Sequence, residues 1–262
     1  MISSRTYTSQ GLVLKYFPYK EADLILTVLT KQHGKLQAIA KGARKPQSKF
    51  SGHVEPLTVV DIQLAKGKSI ETVTQVQTYK AYPSMYSDIN KLANGIYISE
   101  LIDQFTPDKE VNTKLFDTGI KVLDIISTSE EPDLSIRNFE FEVLKLSGFL
   151  PELYTCLKCG CEIIAGQHRY SVSSGGVICI DCSDIDNTLE LSLATMKVLR
   201  YFNRHNITTE PAFKIKTETY TELKSLLIET IIFWLERDLK SSQFIEHLKS
   251  IQKSYQRHDC II

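Results

Sequence analysis

Cys156 and Cys159 form one Cys-x-x-Cys pair, Cys179 and Cys182 form a second, and nineteen residues separate the two. No other feature constrains the fold as strongly. A Cys-x-x-Cys turn aims two thiolates at one point, and two such turns supply the four ligands of a tetrahedral zinc site. Gly160 follows the second ligand, where it is expected to relieve crowding as the knuckle turns back. Gly175-Gly176, followed by Val177-Ile178, predicts the hairpin that delivers the second knuckle. Four thiolates leave no position for water, so a structural ion is expected rather than a catalytic one. The His-x-Glu and Pro-Cys-x-x-Cys signature of zinc deaminases is absent. A redox or iron–sulfur role and four unliganded thiols are the alternative readings, although a thioredoxin-type site needs one pair, not two. Cys161 is an extra thiol, and Cys260 reads as a free thiol in a C-terminal tail. Six cysteines in 262 residues are too few for a disulfide scaffold.

Around this insert the hydrophobic period changes once. Short Val/Ile/Leu/Thr runs at Gly11–Tyr16, Leu24–Leu29, Leu36–Ala40, Thr58–Leu64 and Ile70–Tyr79 read as five strands. Turn signals at Lys31-Gln32-His33-Gly34 and Lys66-Gly67-Lys68 separate several of them. Five short strands suit a small closed barrel of the oligonucleotide-binding (OB) type, and an SH3-like barrel fits the pattern nearly as well. After Pro83 the spacing is helical, as in Ile89, Leu92, Ala93, Ile96 and Tyr97, or Leu115, Gly119, Val122 and Ile126. A third helix is expected from an N-cap at Ser135 to a stop at Gly148, and others over Ser192–His205, Thr219–Leu239 and Phe244–Ser254. Leu223, Leu227, Thr230 and Trp234 would share one face of the second of these. The expected class is α+β: an OB barrel over residues 1–80, then a helical domain over 81–262 with the four-cysteine zinc ribbon inserted at about 153–183.

The formal net charge is zero, yet it is unevenly spread. Residues 1–80 carry twelve Lys/Arg against five Asp/Glu, and residues 81–262 carry nineteen against twenty-six. From Leu24 to Val54 there is no acid at all, while Lys31, Lys35, Lys41, Arg44, Lys45 and Lys49 fall there. Residues 41–49 read as a flexible basic loop between two strands. On a small barrel such a loop would track a phosphate backbone, with Tyr16, Phe17, Tyr19 or Phe50 as stacking surfaces. The plainer alternatives are a solvated loop and aromatics packed in the core.

Several chemistries are excluded by sequence. There is no Gly-x-x-x-x-Gly-Lys-Ser/Thr, no Gly-x-Gly-x-x-Gly and no His-Glu-x-x-His. The six histidines are scattered without an evident carboxylate or nucleophile partner, and Glu130-Glu131 lies in a polar loop. No run approaches the roughly 18 apolar residues of a membrane span, and Met1 to Thr6 lacks the apolar start of a secretory signal. The reading is a cytoplasmic binding and adaptor protein, not an enzyme.

Taken in order, several segments carry a resemblance. They are Gly11-Leu12-Val13-Leu14 through Tyr19-Lys20-Glu21-Ala22-Asp23, Leu29 to Lys35, and Ala40-Lys41-Gly42-Ala43-Arg44-Lys45 with Ser48-Lys49-Phe50. Further on come Leu146 to Leu153 before the first cysteine pair, Tyr170-Ser171-Val172 with Gly175-Gly176 before the second, and Leu239-Lys240-Ser241-Ser242 with Phe244. In this order the chain resembles the RecO family of bacterial DNA repair and recombination mediators over nearly its whole length. The resemblance implies binding of single- and double-stranded DNA, annealing of complementary strands and help in loading the RecA recombinase. It also implies action with RecR and contact with the C-terminal tail of the single-stranded-DNA-binding protein, at the nucleoid. By residue, it carries over the basic loop, with Lys41, Arg44, Lys45 and Lys49 as DNA contacts, and Cys156, Cys159, Cys179 and Cys182 as ligands of one structural zinc; Lys35 of the same acid-free stretch is a further expected DNA contact. The competing expectation is a zinc-containing protein-interaction module acting at RNA or the ribosome. A nuclease would need a carboxylate cluster for a divalent metal that the sequence does not offer.

Overall fold

A computed structural model describes residues 5–258 apart from 165, 167, 185–187 and 208; Cys260 lies outside the described residues. Two compact units emerge, Met1–Ser129 together with Lys240–Ile262, and Glu130–Leu239.

In the first unit, β1 (Thr6–Tyr19), β2 (Asp23–Thr30), β3 (Gly34–Ala40), β4 (Val59–Ala65) and β5 (Glu71–Lys80) close a barrel in the order β1-β2-β3-β5-β4. All pairings are antiparallel except β3 with β5, which meet in parallel through Ala38 opposite Glu71 and Ile39 opposite Thr72. That closure is the OB arrangement, and it removes the SH3-like alternative. Strand alternation fills the interior: Val13, Leu24, Leu26, Val28, Leu36, Ala38, Val60, Ile62 and Leu64 all point inward. Pro83 begins a single helical turn, α1 (Pro83–Tyr86), where a proline needs no amide partner. It leads into α2 (Ile89–Phe105), capped by the Asp88 carboxylate, and α3 (Thr113–Thr128), capped by Asn112. The chain returns to this unit with α7 (Lys240–His258). Glu100 of α2 caps it, accepting from the amides of Lys240 at 3.2 Å and Ser241 at 2.9 Å.

The second unit is built on α4 (Asp133–Leu146), whose residues from Ser135 to Leu144 are all buried. Ser135 is not its N-cap: the helix begins at Asp133 behind Pro132, and the Ser135 side chain is enclosed. Pro132 holds a helical φ of −75° and so starts the helix earlier than a hydroxyl cap would. At the other end Gly148 (φ +87°) closes a Schellman motif, with Phe149 N–H donating to Leu144 O at 2.8 Å and Gly148 N–H to Lys145 O at 3.3 Å. Three short strands follow, β6 (His168–Ser171), β7 (Gly176–Ile178) and β8 (Leu189–Leu191), in the order β7-β6-β8. Then come α5 (Leu193–Arg204), capped by Ser192, and α6 (Thr217–Leu235). The last expected pair of helices is redrawn: α6 stops four residues short, where Glu236 turns left-handed (φ 54°), and α7 starts at Lys240. Leu223, Leu227 and Thr230 of α6 are buried, and Trp234 stacks on Phe149 at 4.6 Å between ring centres. No helix among the described residues is long and apolar enough to cross a membrane.

Candidate metal centre and nucleic-acid interface

The two cysteine pairs meet. One sulfur from each of Cys156, Cys159, Cys179 and Cys182 lies within 4.8 Å of all the others. A tetrahedron built on Zn–S bonds of about 2.3 Å has edges of about 3.8 Å, and the Cys159 and Cys179 sulfurs stand 3.7 Å apart. The donor set therefore fits a thiolate-preferring ion. Cys156 and Cys179 are buried, and Cys159 is exposed. The β6–β7 hairpin carries Cys179 and leads into a short 3-10 turn at Ile180–Cys182, as the double glycine predicts.

Hydrogen bonds tie the local backbone together alongside buried Leu153, Ile163, Val177 and Ile178. Cys179 N–H donates to Cys156 Sγ at 3.3 Å, and Lys158 Nζ donates to Cys182 O at 2.9 Å. Burial pushes the Cys156 thiol up, but backbone donors from Cys159, Cys179 and Lys158 outweigh it and bring the thiol down to about 6. Cys182, donating to Cys179, is pushed up to about 12. Gly160 relieves no crowding, because a Cβ there would meet nothing within 4 Å; its φ of +74° is what calls for glycine. Gly176 is the crowded one: a Cβ would sit 2.6 Å from Glu152 O, where the two segments exchange backbone hydrogen bonds.

Two supports escaped the sequence reading. The Glu152 carboxylate accepts from the amides of Tyr154 at 2.6 Å and Thr155 at 3.0 Å, and the Tyr154 donor above all holds this carboxyl below its ordinary value. From α5, Arg200 donates to Leu153 O at 2.7 Å and Ile163 O at 3.0 Å while its guanidinium lies over the Tyr154 ring. Arg200 follows the cysteines by many residues, and nothing in its surroundings announces the contact.

On the barrel, the basic segment between β3 and β4 is pinned. Ala43, Phe50 and Val54 insert into the barrel core. Tight turns join Lys45 N–H to Gly42 O, Ser48 N–H to Lys45 O and His53 N–H to Phe50 O. Arg44 N–H donates to Ala22 O at 2.9 Å and Gly42 N–H to Asp23 Oδ1 at 2.8 Å, tying the segment to the β1–β2 hairpin. The expected flexible loop is thus a structured plug, because periodic apolar anchors at 43, 50 and 54 outweigh its polar composition. Lys41, Arg44, Lys45 and Lys49 remain exposed on it. Lys35 does not join them. Its ammonium donates to Asp103 O at 2.6 Å and pairs with the carboxylates of Asp103 at 3.3 Å and Asp108 at 3.7 Å, with only 13% of the side chain exposed. Of the aromatics, Phe50 is buried and Tyr16 packs against the core, while Phe17 and Tyr19 are exposed.

Fold and site together define a class: an OB-barrel protein with a basic plug and a separate four-cysteine knuckle. Models of the Recombination protein O family match this chain, the N-terminal one over residues 1–82 and the C-terminal one over 86–243. Proteins named DNA repair protein RecO are similar over nearly full length. The one from Dehalococcoides mccartyi is 32% identical across 95% of this chain and 98% of its own. The one from Desulforamulus reducens is 33% identical across 93% of this chain and 95% of its own, and that from Roseiflexus sp. is 29% identical across 95% and 88%. The chain belongs to the Recombination protein O family of DNA repair proteins.

Proposed function

We propose that the protein is a non-enzymatic mediator of recombinational repair that binds single- and double-stranded DNA and anneals complementary strands. In this reading it acts at the nucleoid in the cytoplasm, with RecR, to help load RecA onto DNA coated with single-stranded-DNA-binding protein, whose C-terminal tail it contacts. The barrel of residues 1–80 is the DNA-binding module. Residues 81–262 form the helical part, with the insert at about 153–183 holding one structural zinc on Cys156, Cys159, Cys179 and Cys182. The zinc supplies a covalent-strength brace to the knuckles and no chemistry.

The observation that carries the reading is the plug. Four cations, Lys41, Arg44, Lys45 and Lys49, project from one segment whose apolar residues are locked into the barrel. Rigid placement of like charges is costly unless an anion neutralises them, and a phosphate backbone is the regular array that does so. Holding two strands on one cationic surface screens their mutual repulsion, which is what annealing requires. Lys35, engaged with two carboxylates, braces the barrel and stands apart from this set. The test is the double substitution Arg44→Glu with Lys45→Glu. It is expected to weaken binding to every DNA sequence alike, to slow annealing of complementary oligonucleotides, and to flatten the plot of log affinity against log salt by about 1.8 for duplex. Unchanged affinity and slope would remove these residues from the interface.

A further inference from the structure

β8 is the outermost strand of its sheet. It pairs with β6 through Leu189 opposite Tyr170, Glu190 opposite Arg169 and Leu191 opposite His168, and among the described residues no strand lies on its other side. An open strand edge presents unpaired N–H and C=O groups to any other chain, so it is normally covered or guarded by a charge. Here the guard is acidic. The side chain of Glu190, in the middle of the strand, is 91% exposed, and Arg169 Nη1 approaches it only to 4.0 Å.

A cleft of about 920 Å³ opens between β8 and the start of α6. Its apolar wall is made by Ile180, on the turn between Cys179 and Cys182, and by Leu193 at the start of α5; they are 58% and 37% exposed. Glu190 from β8 and Glu218 and Glu222 from α6 bring three carboxylates to it. Glu222 accepts from Ser192 N–H at 2.6 Å, which ties α6 to the end of β8. Arg169 is the only Lys or Arg that lines the cleft among the described residues, and its guanidinium is committed: Nε donates to Thr188 Oγ1 and Nη2 to Thr188 O, both at 2.6 Å. His168 also lines the cleft. Its Nε2 lies 2.7 Å from Ile164 O and therefore carries the hydrogen, which leaves Nδ1 an acceptor, buried and without a partner among the described residues. The cleft is rich in acceptors and poor in free donors.

We infer that β8 and this cleft dock a protein partner, by adding to the sheet edge an extended segment of alternating basic and apolar residues. The site lies in the second unit, so it goes beyond the DNA-binding reading of the barrel and does not depend on it. Main-chain groups of the segment pair with the β8 edge, and its side chains alternate between two faces about 3.4 Å apart along the strand. One set then meets Ile180 and Leu193, and the other meets the carboxylates. Charge selects this occupant. Residues 130–239 carry seventeen Asp/Glu against eleven Lys/Arg, which disfavours a nucleic acid on this unit. A second copy of β8, paired antiparallel about its centre, would set Glu190 against Glu190, and like charges directly opposite are destabilising. A basic segment gains where these lose.

Fluorescence anisotropy with a labelled hexapeptide of alternating lysine and valine tests the inference on the full chain. Hexapeptides of alternating lysine and glycine, and of alternating glutamate and valine, are the controls. The lysine–valine peptide is expected to bind about 10-fold more tightly than either, and to slow hydrogen exchange at the β8 amides. Glu190→Lys with Glu218→Lys is expected to weaken it by about 10-fold or more. Both positions are exposed, and an unchanged thermal transition verifies that the variant folds. Equal binding of the lysine–valine and lysine–glycine peptides would overturn the inference, since the cleft would then read charge alone. So would unchanged affinity in the double variant, or exchange protection that appears away from β8. Protection of the same amides by an oligonucleotide in place of the peptide would assign the cleft to nucleic acid and overturn it too.

Discussion

The basic plug and the cysteine knuckles are both short, irregular segments, and they are held in place with different emphasis. The plug is anchored by apolar side chains, with Ala43, Phe50 and Val54 sunk into the barrel, so its charged groups stay outside. The knuckles bury Leu153, Ile163, Val177 and Ile178 and add directional bonds beside the clustered cysteines: the Glu152 carboxylate on two amides, Arg200 on two carbonyls. A segment whose polar groups maintain its own fold has few left for a ligand. One that is held mainly by hydrophobic burial keeps more of them on the surface, even though Arg44 donates to Glu21 O and Lys49 to Thr74 O. In the function proposed above, DNA contact falls to the plug and mechanical support to the knuckles, although polar composition alone would treat them as equals.

The largest expected effect comes from removing a ligand. Cys156→Ser, or chelation, removes metal binding of about 10–16 kcal/mol. Metal analysis should then fall from one zinc per chain towards none, and hydrogen exchange should show lost amide protection from Cys156 to Cys182. Affinity for DNA should hold within a few-fold. A parallel collapse of DNA binding would break the division between plug and knuckle.

Next is Phe50→Ala, which removes the plug's main anchor and should destabilise the barrel by about 3–5 kcal/mol. Denaturant unfolding measures that loss. DNA affinity should fall with it, although no charge has changed, and a stable variant with intact affinity would show that the plug needs no anchor.

The smallest effect concerns pH. Glu152 has a depressed pKa, so the stability it contributes is present in full above the ordinary carboxylate value and is lost as pH falls through its lower folded value. Exchange at the Tyr154 and Thr155 amides should accelerate over that acid range, and Glu152→Gln should remove the dependence.

Much of this was legible in the sequence because its signals are local. Two Cys-x-x-Cys pairs bring their own geometry. The strand runs ended within a few residues of where β1 to β5 end, and Pro83 marked the change to helix. Helix ends read less well, since Pro132 and Glu236 act through φ rather than through a recognisable cap or breaker. Lys35 and Lys49 look alike in a list of basic residues. Only the position of Asp103 on α2, sixty-eight residues beyond Lys35, separates the carboxylate-paired brace from exposed Lys49, which donates to Thr74 O instead.

By itself, then, the sequence determined the four-cysteine cluster, the barrel-then-helix order and the acid-free basic stretch. Each depends on residues close together in the chain, where covalent spacing and side-chain periodicity do the work. Tertiary structure alone decided which lysines are spent on carboxylates, that the loop is a plug, and that the edge strand β8 and the start of α6 face one cleft. Those outcomes depend on strand register and on elements returning from far along the chain, and local pattern carries no term for either.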